Sequence, residues 1–262
     1  MEHLSPLREH RAAARCEGTD VRLATAEDFA FIDRVFNDPA VRTLADAPAF
    51  EAAKGIQGAS FAVVGEEGAF LAIAIEPSRY LVHTGILPEF RGERAVLAAQ
   101  QALRIAFTQT DALELETLTP ACIPQARLFA RQMGFRHRFS RPNLWPNNGE
   151  LLSVGFHSMT ILDWALSGAC KREGEAFHER LHGEYGVDAH PTDTAHDAIV
   201  GAAVEMVRAG RPDKGVAFYN YWARLAGYRP ISIVSRDPLR IDIHQCVLRV
   251  EGPDFFMEAP HA

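Results

Sequence analysis

Residues 87–99, LPEFRGERAVLAA, decide how this chain folds. An apolar strand ends at Leu87, and from Glu93 onward apolar residues recur every three to four positions, which is the period of a helix. Arg91 and Gly92 form the turn between these two elements. Glycine allows a close backbone approach, and the first amides of a helix attract anions. The stretch therefore predicts a strand, a turn and a helix arranged to hold a phosphate group.

The residues before this loop predict one short strand, two helical stretches and a run of strands. Thr25 and Asp28 have the spacing of a helix cap with an acidic partner, and Pro39 stops the helix that follows. A Glu-Glu-Gly turn at 66–68 separates two apolar runs, as in a hairpin. The predicted elements are a strand at 20–24, a helix ending near 37, a helical stretch at 47–55, two strands within 60–76 and a strand at 79–87.

The residues after the loop predict helices that alternate with strands. A helix spans 93–107, and a second helix begins at Pro124 and is closed by Gly134. The order β, α, α, β, β, β, α, β, α, β, β predicts an α/β (α+β) protein with a mixed, mostly antiparallel sheet flanked by helices. The remaining strands are predicted at 112–118, 135–141 and 150–159.

The sequence pattern changes after Asp163. Three helical segments follow, and two strands are predicted at about 230–235 and 239–250, so this region is expected to be helical and to end in a β-hairpin. The chain is therefore divided into an N-terminal arm at 1–19, a first domain at 20–162 and a C-terminal domain at 163–262.

Composition excludes several classes of protein. The chain has 262 residues, a formal net charge of −7 and no run of Lys or Arg, which argues against nucleic acid as a partner. The charged N-terminus does not resemble a signal peptide, and no run of about 18 apolar residues predicts a membrane span. The cysteines are too scattered for a disulfide framework or a zinc site: Cys16, Cys122, Cys170 and Cys246.

The order of elements, with LPEFRGERA before one helix and QMGF closing the next, resembles the GNAT acyltransferase family over residues 20–160. In that family, backbone amides at the start of the helix hold the pyrophosphate of acyl-coenzyme A. The resemblance implies acetyl-coenzyme A as the cofactor of an active enzyme. It places the cofactor loop at Leu87, Arg91, Gly92, Glu93, Arg94, Ala95 and Val96.

The loop departs from the family pattern at Arg94 and Val96, where small residues are expected. A β-branched side chain at Val96 is expected to keep a pyrophosphate away from the amides, although the Arg94 guanidinium can contact a phosphate. The sequence therefore predicts a degenerate loop with no bound cofactor and no acetyl-coenzyme A binding at micromolar ligand. Val96→Gly with Arg94→Gly is expected to improve binding.

Catalytic residues of the family are also replaced. Ile123 and Ala130 stand where the family often has Asn and a general-acid Tyr. The remaining candidates for a general base are His83, Glu114 and Glu116. A strand histidine satisfied by hydrogen bonds is the alternative interpretation of His83.

Segments such as NDPAVRTL, YLVH and LPEFRG resemble GNAT-like proteins of tailed bacteriophages, many of which carry an additional C-terminal region. This resemblance implies an interaction or structural protein of a phage particle or its assembly, oligomeric, with other protein chains as partners, in a virion or in the cytoplasm of a bacterial host. The alternative hypothesis is an acyl-coenzyme A-dependent N-acyltransferase.

A zinc protein is a further alternative, because HERLH matches the H-E-x-x-H pattern at His178, Glu179 and His182. Asp188, His190 or His196 would supply a third ligand. We predict no metal site, because helix caps and solvated turns also explain these residues.

The segment 219–228, YNYWARLAGY, places four residues at helical spacing: Tyr219, Trp222, Leu225 and Ala226. Such aromatic stripes usually lie in the core, and we predict the same here. Docking on a partner chain is the alternative.

Overall fold

The structure, a computed structural model, describes residues 20–42, 48–147, 149–185, 194–243 and 246–258. The predicted N-terminal arm at 1–19 lies outside these ranges. The helices are α1 (Phe29–Asn37), α2 (Ala52–Gly55), α3 (Glu93–Gln109), α4 (Pro124–Gln132), α5 (Ile161–Trp164), α6 (Lys171–Tyr185), α7 (Thr194–Arg208) and α8 (Pro212–Ala226). The strands are β1 (Arg22–Leu23), β2 (Phe61–Gly65), β3 (Gly68–Glu76), β4 (Arg79–Ile86), β5 (Glu114–Pro120), β6 (Arg136–Asn147), β7 (Glu150–Thr160), β8 (Ser232–Arg236), β9 (Leu239–Asp242), β10 (Val247–Glu251) and β11 (Asp254–Glu258).

The first seven strands form one sheet in the order β1-β2-β3-β4-β5-β7-β6. Every neighbouring pair is antiparallel except β4 and β5, which are parallel and joined through α3. The predicted mixed, mostly antiparallel sheet flanked by helices is therefore confirmed. None of the helices in the described ranges has the length and apolarity that a bilayer crossing requires.

The two faces of this sheet carry different helices. α1 and α2 cover one face, where Ile32 and Val35 pack with Leu71 of β3. α3 covers the other face, and its alanine-rich side packs with Phe70 and Tyr80. Small side chains on α3 let the helix lie close to the strands, because alanine adds little bulk between backbones. The helix that begins at the predicted loop is thus fixed against the sheet.

The region after residue 163 shares its core with α3. Ile199 and Met206 of α7 and Trp222 of α8 belong to the same buried cluster as Phe107 of α3. Trp222 therefore lies in the core, as predicted for the stripe, but the same prediction is wrong for Leu225 and Ala226, which are exposed at the end of α8. The division into domains at 20–162 and 163–262 stays a prediction.

The end of the chain is a four-stranded antiparallel sheet in the order β11-β10-β9-β8, where a hairpin of two strands was predicted. The strand predicted at 239–250 is two strands, β9 and β10, and between them the Ile243 amide donates to the Cys246 carbonyl. A turn at Gly252, with φ of 58°, leads into β11. An apolar run does not reveal such a break, because residues on both sides of the turn face the same core.

Candidate functional site

The parallel strands β4 and β5 separate part of the way along their length. They pair only through Arg79–Glu114, Tyr80–Leu115 and Leu81–Glu116. β4 continues to Ile86 along β3, and β5 continues to Pro120 along β7. The backbone groups of residues 82–86 that point toward β5 therefore have no strand to pair with. The sheet is open at this position, between two strands that stay fixed on their other sides.

The start of α3 lies next to this opening, at the end of β4. Gly92 has φ of 97° and ψ of −137°, a conformation that side chains strongly disfavour, and a Cβ built there would meet nothing within 4 Å. The first amide bonded within the helix is that of Val96, which donates to the Gly92 carbonyl at 3.2 Å. The amides of Arg94 and Ala95 precede this bond and have no acceptor inside the helix. Unpaired amides at the start of a helix are able to attract an anion.

The Val96 side chain lies on the core side of α3. Its half-buried side chain packs against the core between α3 and the sheet, and Ala95 beside it is buried. A side chain on a helix leans back over the preceding turn and covers one side only, so a residue in the first turn can face the core. This packing gives no support to the steric reason for the expectation that Val96 holds a pyrophosphate away from the amides, and the expectation itself stays a prediction.

Arg94 is held by two carboxylates. Its Nη2 donates to Glu67 Oε1 at 2.9 Å and to Glu66 Oε2 at 3.0 Å, and its guanidinium lies 4.6 Å from the centre of the Phe90 ring. The hydrogen bonds to Glu67 and Glu66 raise the pKa of Arg94. The predicted phosphate contact of Arg94 must compete with these two carboxylates.

Sequence reasoning missed Glu67. This residue is completely buried in the turn between β2 and β3, and its backbone carbonyl accepts from the Leu87 amide at 3.0 Å. Glu67 therefore connects that turn to both ends of the loop at 87–96. The sequence shows two adjacent acidic residues, Glu66 and Glu67, in a tight turn between two apolar strands. Polar side chains in such a turn are usually solvated, so there was no reason in the sequence to expect that Glu67 is buried.

The other predicted loop residues have structural contacts. Leu87 is buried beside α1 and α2, and Arg91 Nη2 donates to the Ala40 carbonyl at 2.6 Å. Glu93 is exposed in the first turn of α3, where its charge is favourable to the helix dipole but repels an anion. Arg91 thus fixes the turn before the helix and is directed away from the amides.

His83 lies on β4, two residues beyond its last pairing with β5. Side chains alternate along a strand, so His83 shares a face with Gly85, whose Cβ would lie 2.7 Å from Val35 of α1. His83 is therefore on the α1 side of the sheet. Part of its surface is exposed, but the surrounding protein atoms remove enough water to lower the pKa of His83. At neutral pH it is the neutral imidazole, which can accept a proton.

Glu114 and Glu116 are less suited to act as a base. Both carboxylates lie beside the guanidinium of Arg79. Arg79 donates a hydrogen bond to the carboxylate of Glu116, and Arg79 Nε lies 3.9 Å from Glu114 Oε2. The Arg79 guanidinium therefore occupies carboxylate oxygens that an incoming amine would have to reach. The structure thus brings His83, Glu114 and Glu116 to neighbouring strands, but of these three only His83 has no bound cation among the described residues.

Ile123 and Ala130, the positions that the resemblance aligns with a catalytic Asn and Tyr, carry apolar side chains. Ala130 is buried in the core of α4, and Ile123 immediately precedes that helix. Neither side chain can exchange a proton.

The H-E-x-x-H residues are not gathered around one point. His178 is buried and its Nδ1 lies 2.8 Å from Asp197 Oδ1, whereas Glu179 and His182 are exposed. His196 is buried, and its ring stacks 4.9 Å from that of His178. No group of three metal-binding side chains occurs within the described ranges. Asp188 and His190 lie outside them, so those two candidate ligands stay untested.

Comparisons with known proteins give likenesses in structure alone. No family model matches the chain, and no curated protein matches its sequence. Among solved structures, the spermidine N-acetyltransferase of Vibrio cholerae in complex with CoA and spermine is 18% identical, covers 55% of this chain and 96% of its own, and has a TM-score of 0.48. A mutant form of the same enzyme has the same identity and coverage and a TM-score of 0.47. At this identity the likeness concerns the fold.

Proposed function

We propose that the protein is an acyl-coenzyme A-dependent N-acyltransferase. The observation that carries the proposal is the opening between β4 and β5 next to the free amides at the start of α3. One ligand chemistry fits both features: an extended arm that contains amide groups and ends in a diphosphate.

The edge of β4 can hold the extended arm. Residues 82–86 are fixed by β3 on one side and leave their other backbone groups open. An amide-bearing chain that lies along this edge pairs with those groups as an added strand does. The pantetheine arm of coenzyme A contains two amides, and the opening would direct its thioester toward the α1 face of the sheet.

The amides of Arg94 and Ala95 supply the site for the diphosphate. Gly92 brings the backbone to the helix start without a side chain, and Val96 faces the core. This arrangement of backbone amides fits a pyrophosphate. We therefore replace the expectation that acetyl-coenzyme A does not bind with the expectation that it binds at micromolar concentration.

His83 is the residue we assign as general base. The acyl donor supplies an activated carbonyl, and an amine acceptor attacks it from the α1 side. His83 takes the proton that the amine loses, the carbon–sulfur bond breaks, and the thiolate leaves and is protonated by water. A neutral histidine suits this task because its lowered pKa keeps it unprotonated at neutral pH.

Replacing Gly92 with alanine is expected to weaken acetyl-coenzyme A binding at least about tenfold. Alanine is strained by about 1–3 kcal/mol in the Gly92 conformation, and relief of that strain displaces the amides; each 1.4 kcal/mol lost is a factor of ten. Isothermal titration calorimetry of the two proteins with acetyl-coenzyme A measures the change.

Gly58→Ala is the control for this measurement. Gly58 also has a positive φ, of 60°, and open space around it, but it lies in the turn before β2. The Gly58→Ala substitution should lower the free energy of unfolding without changing the dissociation constant for acetyl-coenzyme A. An unmodified protein that does not bind acetyl-coenzyme A at all would overturn the proposed function.

The phage-assembly hypothesis stays a prediction, as do a virion location and partner chains from a phage. Nothing in the geometry of the described residues favours it over acyl transfer. The zinc hypothesis has no support, because no group of three metal-binding side chains occurs within the described ranges.

A further inference from the structure

A row of side chains crosses the sheet on the face where His83 lies. The register of the parallel pairing between β4 and β5, continued beyond its last pair, places His83 at the level of Leu118 of β5. Leu118 pairs with Phe156 of β7, and Phe156 pairs with Phe139 of β6. Paired residues of neighbouring strands lie on the same face of a sheet. The row therefore leads from His83, across the opening, to the last strand of the sheet.

The far end of this row is aromatic and reaches solvent. Phe139 and Phe156 stack with their ring centres 4.5 Å apart and an angle of 18° between the rings. Phe139 is 46% exposed, and Leu118 and Phe156 are half-buried. Rings that keep part of their surface in water are stabilised when an apolar group covers them. This end of the row therefore fits the apolar or aromatic body of a ligand.

Two arginines flank the aromatic pair. The Arg141 guanidinium lies 5.6 Å from the centre of the Phe139 ring and 5.5 Å from that of the Phe156 ring. Arg138 Nε donates to Ser158 Oγ at 2.7 Å, and Ser158 shares a face with Phe156 because the two are alternate residues of β7. Both arginines are exposed, and within the described ranges neither pairs with a carboxylate. Such guanidinium groups bind a carboxylate through charge-assisted hydrogen bonds.

The end of the row near His83 carries the opposite charge. The Arg79 guanidinium lies beside three carboxylates, those of Glu76, Glu114 and Glu116, so this group keeps an excess of negative charge. A primary amine is mostly an ammonium ion at neutral pH, since its pKa is near the value of about 10.4 of lysine, and the negative charge attracts it. The ammonium ion gives one proton to water before the neutral amine attacks.

We propose that the acceptor is an amine joined through an apolar or aromatic body to a carboxylate, with the amine at His83 and the carboxylate at Arg138 and Arg141. This inference rests on the proposed function and names its acceptor class. Neighbouring strands lie about 4.8 Å apart, so β6 is about 10 Å from β5 and the two charged groups must be about that far apart. The amine and carboxylate of a free α-amino acid are too close together to reach both ends. A polyamine would meet the arginines as like charges.

Acyl-transfer rates with two matched amines test the acceptor class. The first is a benzylamine with a propanoate chain in the para position, and the second is para-propylbenzylamine, in which a methyl group replaces the carboxylate. We expect kcat/KM for the first amine to exceed that for the second at least about tenfold, which corresponds to about 1.4 kcal/mol. Spermidine should be a poorer substrate than the first amine.

Substitutions at the two arginines separate their charge from a role in folding. Arg138→Met with Arg141→Met should remove the preference for the carboxylate, mainly by raising KM, whereas Arg138→Lys with Arg141→Lys should keep most of it. The matched control is Arg127→Met with Arg131→Met. These are exposed arginines of α4, which packs on the α3 face of the sheet through Ala130, so this control should keep the preference.

Calorimetry of the carboxylate-bearing amine without an acyl donor makes the test independent of turnover. We expect it to bind, and to bind at least about tenfold more weakly to Arg138→Met with Arg141→Met. If acyl groups are transferred with no preference between the matched amines, or preferentially to spermidine, the acceptor class is wrong and the proposed function stands. If acetyl-coenzyme A does not bind, the proposed function is wrong; binding of the probe that depends on the two arginines would then still support the carboxylate site, and no binding of the probe overturns it as well.

Discussion

Replacing Gly201 with alanine is expected to lower the free energy of unfolding by about 3 kcal/mol, or roughly 6–12 °C in melting temperature for a chain of this size. Helices α6 and α7 cross in direct backbone contact at this residue. A Cβ at Gly201 would lie 1.8 Å from the Cys170 carbonyl oxygen and 2.8 Å from the Gly174 amide nitrogen. Both are backbone atoms, so no side-chain rotation relieves the overlap and the helices must move apart.

Urea denaturation measures this loss, and Gly183→Ala is its matched control. Gly183 lies in α6 like Gly174, but a Cβ there would meet nothing within 4 Å. Alanine is the better helix former, so this control should gain up to about 1 kcal/mol. If Gly201→Ala also gains stability, the two helices do not approach as closely as the structure indicates.

The crossing of α6 and α7 also holds α3, the helix at which the candidate site begins. Arg104 of α3 reaches Glu205 of α7 at 2.6 Å and Glu173 of α6 at 3.1 Å. The same α3 begins at the loop 87–96, so the C-terminal region holds one end of the helix whose other end follows that loop. A loss of the α6–α7 contact is therefore expected to loosen the loop as well as the fold.

The loop at 87–96 was predictable in outline because its signals are local. A strand ending, a glycine turn and a helical period identify Gly92 and the start of α3 from neighbouring residues alone. The direction of the Val96 side chain was not predictable, since it depends on which side of α3 meets the sheet. Arg94 shows the same limit, because its partners Glu66 and Glu67 come from a turn more than 25 residues earlier.

The H-E-x-x-H segment shows why a local motif is insufficient. The sequence gives two histidines one helical turn apart, but His178 points into the protein because α7 lies against it and supplies Asp197. His182 is on the exposed side of the same helix. Burial of one histidine and exposure of the other follow from the packing of a second helix, which the five-residue pattern does not contain.

Replacing His83 with glutamine is expected to lower kcat about 10²- to 10³-fold, if the protein transfers acyl groups as proposed, because the loss of a general base costs about that factor. Glutamine keeps the size and hydrogen-bonding capacity of the side chain but cannot take a proton. The dissociation constant for acetyl-coenzyme A should be unchanged, since His83 lies on the α1 face and the amides of α3 on the other. The effect is therefore on the chemical step.

The pH profile separates this role from a structural one. Burial lowers the pKa of His83, so kcat of the unmodified enzyme should rise with pH through an apparent pKa below the usual 6.5 of histidine and then stay level. In His83→Gln that ascending limb should be absent. Release of the coenzyme A thiol with a panel of primary amines measures both quantities, and His182→Gln, at an exposed histidine of α6, should behave as the unmodified protein. If the ascending limb persists in His83→Gln, another group takes the proton, and Glu116 would then be the next base to test, with Arg79 removed from its carboxylate.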